Sequence, residues 1–240
     1  MDGNGRWAGR RGLPRTAGHQ AGGSAVRRTV TAAARHGISL LTLYAFSSEN
    51  WRRPHREVRH LMRLFSAYLR SEAERCADEG IRVSVIGRRD RLPRSVVAAI
   101  DSIETRTRGG RTLHLRLAVD YSARDAIVEA VLNAATHAIR SAGETQCDDG
   151  PHEHPGRLSF LGGHDGDPLP DVDLMIRTGG EQRLSDFLIW ESAWAELVFL
   201  SCPWPDFDES QLAAALEEFH GRERRYGGLP AEATPTAGES

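Results

Sequence analysis

The first residues able to do chemistry are Asp2-Gly-Asn-Gly-Arg-Trp-Ala8. Glycines let a backbone approach a ligand closely and adopt positive φ, so the amides around Gly3, Asn4 and Gly5 can cradle a phosphate. Arg6 adds a charge-assisted fork for phosphate oxygens, and Asp2 is a hard ligand suited to Mg²⁺. A carboxylate beside an anion-binding loop makes most sense with a divalent ion between them. Taken alone, the stretch reads equally well as a terminal glycine-rich turn. Gly3-x-Gly5-x-x-Ala8 also matches the dinucleotide fingerprint, but the strand that gives that fingerprint meaning does not precede it, and no acidic residue closes a strand at the required distance. Arg15 and His19, four apart on one helical face, could complete an anion pocket with Arg6.

Two further groups stand beyond buried strands, where ligands bind in open α/β sheets. Ser47-Ser-Glu-Asn-Trp-Arg-Arg-Pro54 offers hydroxyls, a carboxylate, an amide, an indole and two guanidiniums, too many polar groups for a mere connection. Arg177-Thr-Gly-Gly-Glu-Gln-Arg-Leu-Ser185 places Arg177 and Arg183 around a Gly-Gly turn, from which both can converge on one diphosphate with Ser185. Glu196 lies in an apolar stretch where a carboxylate needs a metal or arginine partner, unless it is an ordinary exposed side chain. His152, His154, His164, Asp165 and Asp167 resemble metal ligands in type, but they lack ligand spacing and read as a solvated loop. The Arg222-Glu-Arg-Arg225 run reads as a solvated helix end.

The elements that must position these groups alternate between strand and helix. A helix is expected from about Thr16 to Arg35, and a strand buried on both faces over Ile38–Phe46. Val58, Leu61, Met62, Phe65, Leu69 and Cys76 mark a helix after Pro54 that Glu79-Gly80 ends. Ile81–Ile86 and Leu113–Val119 read as strands, Arg94–Thr105 and Ala123–Arg140 as helices. Residues 141–166 read as a low-order insertion. Strands are expected at Asp171–Ile176 and Leu197–Leu200, with a short helix at Phe187–Trp194 between them and a last helix at Glu209–Arg225. The pattern predicts one α/β domain over 1–228, its mainly parallel central sheet flanked by helices, with a disordered tail at 229–240.

Composition narrows the classes. The 240 residues are 40% apolar with a formal net charge of −2, which excludes disorder as the main state and gives no electrostatic reason for nucleic-acid binding. No run approaches the ~18 apolar residues of a membrane span. Three scattered cysteines suit a reducing compartment. Every basic residue is arginine, which removes lysine Schiff-base and Walker-type chemistry.

Four blocks together resemble the cis-prenyltransferase family: Met1–Ala8, Tyr44-Ala-Phe-Ser-Ser-Glu-Asn-Trp51, Ile176-Arg-Thr-Gly-Gly-Glu-Gln-Arg183, and Trp204–Asp208 with Arg222–Gly228. The resemblance runs from Met1 to about Gly228. It implies condensation of isopentenyl diphosphate with an allylic diphosphate into short or long cis-prenyl diphosphates, assisted by Mg²⁺. In that reading Asp2 is the metal-linked catalytic carboxylate and Glu196 completes the metal site. Gly3, Asn4, Gly5, Arg6, Arg15 and His19 hold the allylic diphosphate, and Trp7 lines that site. Ser47, Ser48, Glu49, Trp51 and Arg53 shape the substrate pocket, with Asn50 as proton acceptor. Arg177, Arg183, Leu184 and Ser185 hold isopentenyl diphosphate. A homodimer in the cytoplasm is implied, with a product that partitions to the membrane. The alternative is a non-catalytic subunit of a heteromeric enzyme; loss of the catalytic acid would mark it, and Asp2 argues against it. Two departures stand out. The family carries a strand ahead of its catalytic acid, so either the start lies upstream or the first central strand is missing. Asp120-Tyr-Ser-Ala-Arg124 also stands where the family shows Asn-Tyr-Gly-Gly-Arg.

Overall fold

A computed structural model describes residues 1–142 and 170–224. Most of the expected insertion and all of the expected tail lie outside the described residues. Three long strands form the main sheet: β1 (Leu40–Ser47), β2 (Ile81–Ile86) and β3 (Leu113–Tyr121). They are parallel in the order β1-β3-β2, with Leu43 and Val85 both registered on Leu117. Central β3 is buried at every position but His114, as expected of a strand covered on both faces, and its buried positions include Arg116 and Asp120. Leu113, Leu115, Leu117 and Val119 face the main core beneath helices α2 (Arg15–Arg35), α3 (His55–Asp78) and α4 (Arg94–Thr107). The opposite face carries Ala118 and Tyr121 into a second cluster with Phe187 and Leu188, near the start of α5 (Ala123–Ala142).

Helix boundaries follow local chemistry. Pro54 and Pro93 stand just ahead of α3 and α4, where their fixed φ and missing amide cost nothing. Asp208 caps α6 (Glu209–His220) by accepting from the Ser210 amide at 2.8 Å, with Gln211 closing a capping box. Gly221 follows at the C-cap, so α6 ends at His220 rather than at the expected Arg225.

A second, smaller parallel pair, β4 (Leu174–Arg177) and β5 (Glu196–Phe199), lies apart from the first sheet. No described strand bridges β1 and β4, and a cavity of about 1420 Å³ lies between them.

Two expectations need correction. Residues 187–194 form successive turns rather than a short helix. Ser185, Asp186 and Leu188 have φ of 51°, 61° and 45°, a left-handed backbone that interrupts any right-handed helix there. The glycine-rich start, read as a loop, contains the six-residue helix α1 (Asn4–Gly9). It lies on a flat face of α2: a Cβ at Gly18 would fall 2.0 Å from the Asn4 carbonyl oxygen, so only glycine allows the approach.

Candidate active site

The carboxyl ends of β1 and β4 carry two polar loops facing each other across the cavity, with the N-terminal segment at its end. Asp2 is fixed by contacts distant in sequence. Its amide donates to Thr178 Oγ1 at 3.0 Å, and its carbonyl accepts from the Trp204 amide at 2.8 Å. Its carboxylate accepts from Gly3 N at 2.6 Å and from Arg177 Nη2 at 3.1 Å, with Arg6 at 3.6 Å. Burial opposes ionisation of Asp2, but these partners outweigh it and hold the carboxyl below its usual range. Gly3 itself adopts φ of 94°, and a Cβ there would meet Pro203 at 2.8 Å.

Two basic clusters result. In the first, Arg177 also donates to Ser185 Oγ at 2.8 Å and to the Arg183 carbonyl. Glu181 sits between Arg183, at 2.7 Å, and Arg6, at 3.4 Å. The positive φ of Gly179 and Gly180 folds this loop back toward Asp2. In the second cluster Arg53, Arg15 and His19 converge on Glu57 at 3.2, 3.7 and 3.7 Å. Burial, with Arg53 and Arg15 nearby, keeps the His19 pKa below its ordinary value despite Glu57, so the imidazole is neutral at neutral pH.

The loop after β1 is a 3₁₀ turn over Ser48–Arg52. Ser47 N donates to Asn50 Oδ1 at 3.2 Å while the Ser47 side chain accepts from the Asn50 amide, so the two residues fix each other. Glu49 pairs with Arg52 at 2.8 Å.

The cavity wall thus brings together Asp2, Gly3, Asn4, Gly5, Arg6, Arg15, His19, Ser47, Ser48, Glu49, Asn50, Arg53, Arg177, Arg183, Leu184 and Ser185. Three residues of the sequence reading lie elsewhere. Trp7 donates its indole N–H to Asp206 at 2.6 Å under the Arg11 guanidinium. Trp51 packs edge-on against Phe46 at 5.3 Å and lines a separate outer pocket. Glu196 is bonded to Arg222 at 2.7 Å and sits opposite Leu174, at the far end of β5 from the residue registered on Arg177. One chain therefore does not bring Glu196 to Asp2, and no cluster of three or more metal-ligating side chains exists among the described residues. A single carboxylate among arginines still fits Mg²⁺, which is commonly held by one or two carboxylates with substrate phosphates completing its shell.

Thr178, Glu181 and Trp204, which lie within the quoted motifs but were given no role there, also belong to this site, as does Glu57 outside them. Glu57 carried one usable signal, as the lone acid at the start of an arginine-rich helix.

A parallel α/β sheet with arginine-rich loops at its carboxyl edge and a long cavity between them defines an enzyme for anionic substrates with apolar bodies. The chain matches the undecaprenyl diphosphate synthase model over residues 1–227, and it belongs to this family of cis-prenyltransferases. Isoprenyl transferase 1 of Bradyrhizobium diazoefficiens is 54% identical over 233 residues, covering 96% of this chain and 88% of the relative. An isoprenyl transferase of Zymomonas mobilis is 48% identical, covering 95% and 90%. Among solved structures, lavandulyl diphosphate synthase from Lavandula x intermedia, in complex with dimethylallyl diphosphate, has a TM-score of 0.82 at 33% identity, covering 95% of each chain. A probable undecaprenyl diphosphate synthase from Campylobacter jejuni gives 0.71 at 30%, covering 87% of this chain and 92% of that one.

Proposed function

We propose that the chain condenses isopentenyl diphosphate with an allylic diphosphate, with Mg²⁺ assistance, to give cis-prenyl diphosphates. The observation that carries this reading is the pair of basic clusters facing one cavity, with Asp2 bonded to Arg177 at 3.1 Å beside the first. When the C1–O bond of the allylic diphosphate breaks, negative charge collects on the departing oxygens, and guanidiniums already oriented toward them stabilise it. Arg6 and Arg15 serve that group, while Arg177, Arg183 and Ser185 hold the second diphosphate. The alkene electron pair forms the new carbon–carbon bond as the C1–O bond breaks, and the proton then lost is accepted by way of the Asn50 side chain and ends on an oxygen of the departed diphosphate. Asp2 would hold Mg²⁺, which would supply further charge neutralisation for the departing diphosphate. Leu41, Leu43, Leu61, Ile176, Phe207 and Leu216 give the cavity apolar walls for the hydrocarbon chain.

The chain acts as a homodimer in this reading. Val128, Val131, Leu132 and Ile139 on α5 and Ile189, Trp190 and Trp194 in the turns before β5 are exposed large apolar side chains of the kind a partner subunit would cover. No helix among the described residues is long and apolar enough to cross a membrane. A cytoplasmic enzyme whose product moves to the membrane is the proposed setting. Incubation with isopentenyl diphosphate and geranyl or farnesyl diphosphate, with and without Mg²⁺, tests the reading. Sized products with cis double bonds support it, and no elongation of either primer refutes it.

A further inference from the structure

Asp120 ends its side chain where water does not reach: the carboxylate is 0% exposed and the backbone φ is 52°. Arg91 clamps it like a fork, Nε donating to Oδ2 at 2.9 Å and Nη2 to Oδ1. The remaining donor is Ser48, whose hydroxyl reaches Oδ1 at 3.1 Å and lies 3.4 Å from Arg91 Nη2. The same guanidinium stands 5.8 Å from the Trp51 ring centroid. Arg91 comes from the β2–α4 connection, which is pressed onto β3: Arg88 N donates to the Asp120 carbonyl at 3.1 Å, and a Cβ at Gly87 would fall 2.2 Å from the Val119 oxygen. Neither Arg91 nor Asp120 lines the cavity, whereas Ser48 and Asn50 do. Both residues that the pair grips, Ser48 and Trp51, flank Asn50 in one 3₁₀ turn.

We infer that Arg91 and Asp120 are positioning residues, an ion pair between an exposed guanidinium and a buried carboxylate that sets the Ser47–Arg53 turn, and with it Asn50, over the cleft. A turn on an edge loop has few contacts of its own, and displacement of a reacting neighbour by ~1 Å costs about 100-fold in rate. A neutral acceptor at position 120 keeps the Ser48 bond and one bond from Arg91, so asparagine is the conservative replacement. Leucine removes the acceptor altogether. The inference rests on the proposed condensation only in that Asn50 serves it; the placement of the turn has its own readout.

The test uses the full chain as wild type, Asp120→Asn, Asn50→Ala, the double variant Arg91→Met/Asp120→Leu, and that double combined with Asn50→Ala. Removing both charges together avoids leaving either one unpaired. The double variant is expected to melt cooperatively and to lose kcat by about 100-fold, with KM for both diphosphates within about threefold. Asp120→Asn should keep about a third or more of wild-type kcat. Adding Asn50→Ala to the double should cost less than about threefold more, because residues acting through one another are not additive. Amide exchange over residues 47–53 should quicken by about tenfold in the double variant while α3 and β3 stay protected. A double variant with kcat within about threefold of wild type, or with unchanged exchange at 47–53, overturns the inference. Were wild type itself unable to elongate a primer, the proposed function would fall, and the exchange measurement would still decide what the pair positions.

Discussion

The two parallel units of this molecule solve the same problem with unequal means. The first has strands of eight, six and nine residues, and its loop after β1 carries Ser47–Arg53. The second has two strands of four, and its loop after β4 carries Arg177–Ser185. Each contains a buried glutamate nearby, and these differ. Glu72, on α3, is held by Arg27 and by Arg75 at 2.7 Å, so that despite burial its pKa stays below the ordinary value. Glu191, beside the small unit, has an oxygen without a hydrogen-bond partner among the described residues, and burial pushes its pKa up. The large unit is apolar inside and its charges are paired. The small one relies on cross-chain bonds, above all Asp2 to Thr178 and Arg177. Stability resides in the first, and precise placement of charge is concentrated at the second.

The sharpest break in that contrast is Asp2→Ala. It removes a partner of Arg177 and the proposed metal carboxylate but no core packing, so turnover should fall ~100- to 1000-fold, about 2.7–4 kcal/mol of barrier, with a nearly unchanged melting curve. Steady-state rates beside calorimetry check it, and near-normal turnover sinks the assignment. Next comes Leu115→Ala in the central strand, 3% exposed, which should cost about 3 kcal/mol of stability. Val198→Ala in β5 should cost less than half of that in the same denaturant titration; equal losses would erase the distinction between the units.

The two basic clusters divide in turn. Arg183→Ala should mainly raise KM for isopentenyl diphosphate and Arg15→Ala mainly weaken use of the allylic substrate, each by about 1.5–3 kcal/mol. Equal effects on both substrates would contradict two pockets. The smallest expected effect concerns the glutamates. A carboxyl whose folded pKa is raised loses its contribution to stability as pH climbs from the ordinary value through the folded one, so the buried Glu191 burdens the fold at neutral pH. Glu191→Gln should therefore raise Tm at pH 7 by about 2–4 °C, an advantage that vanishes at pH below the ordinary glutamate value. Glu72 has the opposite sign: its stabilisation is present above the ordinary value and is lost as pH falls through the depressed one. Glu72→Gln should lower Tm at pH 7 and flatten the acid limb of the curve.

Long elements were legible from the sequence because their apolar residues recur at strand or helix spacing, although β1, expected to be buried on both faces, buries only Leu43 and Phe46 because one side of it lines the cavity. Ile81–Ile86 has the expected bounds, and α3 begins right after Pro54. The turns at 187–194 were not, since Phe187, Leu188, Ile189 and Trp190 resemble a buried helix until the positive φ before them is known. At the site, residue types and loop positions pointed to polar loops of the cavity wall but not to its apolar strands. Trp7 and Trp51 misled because successive residues of a helix or 3₁₀ turn point in different directions, so a neighbour of a binding residue need not share its face. The roles of Thr178 and Trp204 escaped notice because their partner, Asp2, stands at the other end of the chain, and periodicity carries no signal of such pairing.

The strand order β1-β3-β2 also sets a timetable. Among the described residues both outer strands obtain their ladder partner from β3 alone, so that pairing cannot form on a ribosome until residues 113–121 have emerged. The active site waits longer, because Asp2 is anchored by Thr178 and Trp204. At ~5–20 residues per second of synthesis, Asp2 spends about 10–40 s after it is made without the contacts that place it. The proposed catalytic acid is thus translated well before the residues that anchor it.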